Sequence, residues 1–271
     1  MIPIAGMSTP LALTIAEVTR DRQISVMREA PVHARGIETF RQQIGDIRTV
    51  EDLVENRELY VFVMKAFDLE DQIFGKALMR RMLESDLDDR AALVNRLTDP
   101  RFREMYLALG FEKGGTTNPN TSNPAWQEGI VDRYLETVFI NDQASQNAAL
   151  GAALEFKRKA ASVETPLDIL KDREMGTVIR LALGFPEAVG TLDIDRQADL
   201  IRSRLDLATL NDPEVVEKLV RKYTILSDAL DTTPALQNTA FQLLSATANG
   251  SFTPVTIDIS AISSMPSRPY R

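Results

Sequence analysis

The sequence predicts an all-α fold of two tandem, similar helical units, with a long linking helix and an irregular C-terminal tail. Three observations carry this prediction. Apolar residues recur at three- and four-residue spacing among Ala, Leu, Glu, Arg and Gln, which is the period of an amphipathic helix. Cap residues followed by proline mark several helix starts. One order of caps and apolar positions occurs twice along the 271 residues, which indicates an internal repeat.

The first unit is predicted to span residues 1–113, followed by a loop over residues 114–124. A long helix ends near Phe40, and a short helix begins after its cap residue, Thr49. The apolar helix Leu59–Phe67 comes next, and its composition indicates burial on most sides. A variable amphipathic region and a helix started by an Asp-Pro pair close the unit.

The second unit is predicted to span residues 125–231 in the same order of parts, before a C-terminal helix and extended tail over residues 232–271. Its first helix, Ala125–Ala161, contains no proline and is longer than the usual globular helix. A polar stretch, Asn141–Asn147, interrupts its apolar pattern. This stretch is interpreted as a break, an exposed middle or a partner-binding face.

The two units match at a spacing of 116 residues, where Thr49–Leu59 corresponds to Thr165–Met175. The Asp-Pro pairs correspond at a spacing of 113 residues, so the units differ in length between these points. Matching caps in a matching order favour duplication over the general likeness of helical chains. The positions interpreted as structural repeat positions are Thr49, Asp52, Arg57, Glu58, Asp99 and Pro100, with Thr165, Asp168, Arg173, Glu174, Asp212 and Pro213.

An alternative interpretation makes Arg57-Glu58 and Arg173-Glu174 an active-site motif repeated by symmetry. Adjacent residues do not face each other on a helix, so a structural role at a helix start is favoured. The region Asp71–Arg96 has no unique alignment with the second unit.

The composition excludes several kinds of chemistry. The chain has no Cys, which excludes disulfides, thiolate zinc sites, iron–sulfur clusters and Cys nucleophiles. A single His excludes a multi-His metal site. A Ser–His–Asp relay would need His33, and the sequence contains no nucleophile elbow. We therefore assign no catalytic, cofactor-binding or metal-binding residue and expect no cofactor.

The charge balance excludes a second class of function. The chain has 31 Lys and Arg against 39 Asp and Glu, a formal net charge of −8, and the two signs are interleaved. This argues against nucleic-acid binding, which needs a basic face. The longest strongly apolar run is far shorter than a membrane span, and the first positive charge, Arg20, follows the apolar N-terminus. We expect no membrane insertion and no Sec signal peptide.

Several segments resemble a bacterial family of domains of unknown function, over roughly Phe40 to Leu230. They are Met64–Leu69, Leu97–Phe102, Val178–Pro186, Leu192–Gln197 and Leu210–Pro213. The resemblance implies an all-helical, duplicated protein with no established activity, whose genes tend to lie near flagellar genes. It transfers no catalytic residue.

The resemblance, the absence of Cys and the low aromatic content of 6% favour a structural or adaptor protein of the flagellum, in its assembly, export or motility. Such a role implies a protein partner, such as a flagellar component, and a cytoplasmic location or leaderless export through a flagellar apparatus. The alternative is a general protein-interaction module, with exposed apolar residues in a groove between the units. A third hypothesis, an enzyme that uses Arg57, Glu58 and Asp68, lacks any spacing that would gather these residues.

Overall fold

A computed structural model describes residues 2–231 of the chain. Every regular element in this range is helical, which confirms the all-α class for the described part. Residues 2–229 belong to one compact unit. The helix and extended tail predicted for residues 232–271 lie outside the described residues. Between residues 2 and 231, no helix combines the length and the apolar character that crossing a bilayer requires.

The first half of the described chain, residues 2–123, contains seven α-helices. In chain order they are α1 (Thr9–Glu29), α2 (Pro31–Gln43), α3 (Val50–Glu55), α4 (Arg57–Ala66), α5 (Lys76–Leu83), α6 (Leu93–Arg96) and α7 (Pro100–Leu109). Short polar side chains start these helices. Thr49 and Asp52 form a reciprocal capping box at α3, and Asp99 accepts a 2.9 Å hydrogen bond from the Arg101 amide at α7.

The second half, residues 124–231, contains six α-helices. They are α8 (Pro124–Gln146), α9 (Ala148–Lys159), α10 (Pro166–Lys171), α11 (Arg173–Ala182), α12 (Ile194–Arg204) and α13 (Pro213–Leu230). Short 3₁₀ turns join helices in both halves: Ile44–Asp46, Glu70–Gln72, Lys113–Gly115, Ala160–Ser162, Glu187–Thr191 and Leu207–Asn211. The predicted loop over residues 114–124 therefore begins within a 3₁₀ turn, and its last residue already belongs to α8.

The single helix predicted over Ala125–Ala161 is wrong, because the chain breaks at Asn147. This residue has φ −150° and ψ 104°, and its side chain accepts a 3.0 Å hydrogen bond from the Leu150 amide. It thus ends α8 and caps α9. A side chain at Gly151 would overlap Ala144 of α8, so glycine allows the two helices to approach closely at the break. Of the three interpretations of the polar stretch, the break is the one observed.

The core is one continuous set of buried apolar side chains from both halves. The central helix, α8, packs against α1, α4 and α9. Phe62 of α4 lies between Phe40 of α2, at 4.7 Å between ring centroids, and Tyr134 of α8, at 4.5 Å. The Tyr134 hydroxyl also lies 2.8 Å from Nδ1 of His33, the one histidine of the chain. The Thr137 hydroxyl of α8 donates a 3.0 Å hydrogen bond to the carbonyl oxygen of Ala66, which fixes the C-terminal end of α4 against α8, where a cleft opens.

Candidate functional site

A cleft of about 460 Å³ opens where the end of α4 and the start of α7 meet α8, α9 and α11. Five acidic and five basic side chains dominate its lining. The charged members are Asp68, Asp99, Glu155, Asp172 and Glu174, with Arg101, Arg158, Lys159, Lys171 and Arg173. The remaining members are Thr98, Pro100, Thr137, Ile140, Asn141, Ala144 and Gly151. The lining is mostly charged, unlike the apolar groove that the interaction-module alternative anticipates.

A chain of ion pairs forms one wall of this cleft. Glu155 of α9 pairs with Arg158 at 2.6 Å and with Lys159 at 2.8 Å, one turn along the same helix. Lys159 extends the chain to Asp172, the cap of α11, at 2.7 Å. Arg158 extends it to Glu104 of α7 at 3.2 Å. These ion pairs therefore join α7, α9 and α11 around the cleft.

The ion-pair partners shift the pKa values of Glu155 and Lys159. Burial opposes ionisation of Glu155, but the hydrogen bond and charge of Arg158, together with Lys159, hold the pKa of its carboxyl at about 2. Burial also opposes the ammonium form of Lys159, yet Glu155 and Asp172 raise the pKa of that group. In contrast, burial and the like charges of Asp172 and Glu155 raise the pKa of Glu174. Glu155 and Lys159 are thus ionised near neutral pH, whereas Glu174 holds its proton more tightly than an ordinary glutamate.

Asp68 lies at the opposite wall, just after α4, in a left-handed conformation with φ 55°. A non-glycine residue there carries backbone strain of about 1 kcal/mol or more. Its carboxylate accepts hydrogen bonds from Arg101 of α7 at 3.1 Å and from Asn141 of α8 at 2.9 Å, and its carbonyl oxygen accepts another from Arg101. These contacts hold Asp68 in place and tie the end of α4 to α7 and α8.

Four of the twelve repeat positions line the cleft: Asp99, Pro100, Arg173 and Glu174. The others do not line it. Thr49, Asp52, Thr165 and Asp168 cap α3 and α10, Asp212 and Pro213 start α13, and Arg57 and Glu58 lie in the first turn of α4. Because α4 has ten residues, its first turn lies roughly 15 Å from Asp68 at its far end. The structure therefore does not gather the residues that the enzyme hypothesis invokes.

The sequence interpretation missed Arg101, Glu155, Arg158 and Lys159. The spacing of Glu155 to Arg158 and Lys159 is a recognisable signal for ion pairs along one helix face. Nothing in the local pattern indicates the contacts to α7 and α11, because those contacts depend on tertiary packing.

Comparison with known proteins gives a family and a fold relative. The sequence profile of a family described as protein of unknown function (DUF1217) matches residues 66–216, which include every residue that lines the cleft. The chain is also similar to the X-ray crystal structure of protein AGR_C_984 from Agrobacterium tumefaciens. The two are 27% identical with a TM-score of 0.73, over 84% of this chain and 97% of that one. No curated protein matches the chain.

Proposed function

Since this chain belongs to the DUF1217 family of proteins of unknown function, we propose its role from its geometry: it is a non-enzymatic adaptor whose charged cleft binds a segment of a protein partner. The observation that carries the proposal is the state of the charges in the cleft. Arg101, Arg158 and Lys159 are each held by carboxylates of the same chain. Charges fixed in this way present a rigid polar pattern, which suits recognition.

Two cations at the rim are available to a partner. Lys171 and Arg173 flank the cap of α11, are exposed, and have no ion-pair partner within residues 2–231. An acidic segment of a partner would complement them, while the paired wall would fix its register. The carboxylates of the wall are committed to ion pairs with Arg158 and Lys159, so they serve as fixed charges in this proposal.

We further propose that the scaffold consists of two duplicated units. The helices α3 and α10 begin 116 residues apart, as do α4 and α11, and each pair has equal length. In both halves, two successive helices and a 3₁₀ turn precede these pairs. Asp68, after α4, and Gly184, after α11, are also 116 residues apart and have φ values of 55° and 69°. Order, length and local conformation thus agree, which supports a common origin.

The location we propose is the flagellum or its export apparatus, reached from the cytoplasm or by leaderless export. This part rests on the family resemblance. The test is deletion of the gene in its native host, followed by soft-agar swimming assays and electron microscopy of the filaments. We expect impaired swimming or filaments, and normal swimming with normal filaments would contradict a flagellar role.

Complementation of that deletion tests the cleft. We expect the wild type to restore swimming and the double variant Lys171→Glu/Arg173→Glu to fail, because reversed charges repel an acidic segment. The matched control is Arg196→Glu/Lys218→Glu, which changes two exposed cations outside the cleft and should restore swimming. Restoration by both double variants would contradict binding at the cleft.

A further inference from the structure

The second half of the chain has an open cleft where the first half has a buried tyrosine. This second cleft, of about 410 Å³, lies between α11, the turn Glu187–Thr191 and α12. In α4 the fourth and eighth residues are Tyr60 and Met64, whose exposed fractions are 2% and 0%. The fourth and eighth residues of α11 are Gly176 and Arg180, and both line the cleft. The space beside α11 is therefore open where a ring stands beside α4.

The floor of the cleft is apolar and has room for a ring. It is lined by Leu170 of α10, by Phe185, which follows α11, and by Ile201 of α12. The side chains of Phe185 and Ile201 are mostly buried, with exposed fractions of 6% and 5%. A Cβ atom built at Gly176 would meet only the carbonyl oxygen of Ile169, at an ordinary contact distance of 3.6 Å, so the backbone accepts a side chain at this position. An apolar floor with such free space is a typical site for a buried anchor residue.

Two cationic side chains of α11 also line this cleft. Arg173 and Arg180 are two turns apart on α11, about 10 Å along its axis. Neither guanidinium has an ion-pair or hydrogen-bond partner in the described range, residues 2–231. Of the two carboxylates that line the cleft, Asp172 is held by Lys159 at 2.7 Å, and Glu187 lies on the turn at the opposite side.

We propose that this second cleft binds an aromatic side chain of a partner polypeptide, with acidic residues beside it that pair with Arg173 and Arg180. The ring takes the place that Tyr60 fills in the first half, and the flanking carboxylates complement the two arginines. The inference rests on the proposed adaptor function and specifies the chemistry of one segment of the partner. The two clefts share Asp172 and Arg173, so a single segment can run from one to the other.

The test is an NMR titration of the full chain with a blocked pentapeptide that has one tyrosine between two glutamates on each side. We expect saturable shifts at the amides of Gly176 and Gly190, which line the cleft. Replacing the tyrosine of the peptide by alanine should weaken binding at least tenfold, and replacing its glutamates by lysines should abolish binding. No saturable binding to the wild type would overturn the proposal.

Variants of the chain locate the binding. Gly176→Tyr supplies a ring from the chain itself and should weaken binding at least tenfold. The matched control is Gly129→Tyr, at an exposed helical glycine with open space around it, which should bind the peptide like the wild type.

Arg180→Met should weaken binding severalfold, and this test does not depend on whether Gly176→Tyr folds. Glu187→Gln should strengthen binding, because it removes the opposing carboxylate. Wild-type affinity in both Gly176→Tyr and Arg180→Met would overturn the assignment.

Failure of this inference and failure of the adaptor function are distinguishable. If the peptide does not bind but the reversal of Lys171 and Arg173 still abolishes complementation, the aromatic anchor alone is wrong. If the deletion strain swims normally with normal filaments while the peptide binds, the flagellar role is wrong and the second cleft remains.

Discussion

The helices α4 and α11 have the same length and similar caps, yet their surroundings differ. α4 packs against α2, α3 and α8, whereas α11 packs against α9 and α10. Six residues of α4 are buried and four of α11. The helix α4 is thus part of the core, whereas α11 has the same length but lines a cleft with one of its faces. The difference teaches that two helices of equal length and similar caps can differ in burial through a few side chains, without a change in their backbone.

The largest expected effect comes from the eighth residues of these helices. Met64→Ala removes a fully buried side chain and should lower the free energy of unfolding by about 2–5 kcal/mol. Arg180→Ala, at the matching position, changes the lining of a cleft and should cost within about 0.5 kcal/mol. Urea unfolding of both variants measures this difference. Equal losses would show that the two helices carry the core alike.

The ion-pair wall should have the next largest effect. Glu155 has a pKa of about 2 in the folded chain against an ordinary value of 4.5, so the folded state binds its proton less tightly than the unfolded state. Its stabilising contribution is therefore present above pH 4.5 and is lost as the pH falls toward 2. Glu155→Gln should lower stability at pH 7 by about 2–3 kcal/mol and by less at pH 3.

Unfolding by urea at the two pH values gives this comparison. The control is Thr39→Val, at the place 116 residues earlier on α2, which should show no such pH dependence. A loss in Glu155→Gln that is the same at pH 3 and pH 7 would mean that the ion pairs do not stabilise the fold.

A third comparison concerns the left-handed residues after the two helices. Gly184→Ala should destabilise the chain by about 1–2 kcal/mol, because a side chain is strained at φ 69°. Asp68→Gly removes a similar strain but also the carboxylate contacts to Arg101 and Asn141, so its net effect should lie within about 1 kcal/mol. Thermal unfolding measures both, and a Gly184→Ala variant as stable as the wild type would show that the turn tolerates a side chain.

The smallest effects are expected at the caps of α3 and α10. Asp52 and Asp168 each accept hydrogen bonds from the threonine three residues earlier, and in α10 the Thr165 amide and hydroxyl both donate to Asp168 at 2.8 Å. Asp52→Ala and Asp168→Ala should each cost about 1 kcal/mol in chemical unfolding. A large loss in one variant alone would contradict equivalent roles for these caps.

The sequence predicts local features of this molecule better than distant contacts. Helical periodicity and caps such as Thr49 and Asp99 act within one turn, so the all-α class and several helix starts follow from the pattern. The polar stretch Asn141–Asn147 left three interpretations open. The sequence pattern did not select the break, because the packing of Gly151 against α8 is a tertiary contact. The pair Lys159–Asp172 likewise joins two helices and has no periodic signal.

The residues that line the two clefts also come together through tertiary contacts, which the sequence pattern does not predict. Arg173 and Glu174 attract attention in the sequence as a repeated pair, but only the packing of α4, α7 and α11 brings them near Asp68. Gly176 follows Tyr60 by 116 residues, the spacing of the proposed repeat, so the sequence contains the difference between the two positions. Its meaning, a ring in one place and a cleft in the other, depends on the burial of each position.

The most direct test of the central claim, that the two halves share one scaffold and differ by an open cleft, is a crystal structure of Gly176→Tyr. We predict that the new ring lies buried against Leu170, Phe185 and Ile201, in the place relative to α11 that the Tyr60 ring has relative to α4, without movement of α12. A ring that projects into solvent above an open cleft, or a displaced α12, would contradict the claim.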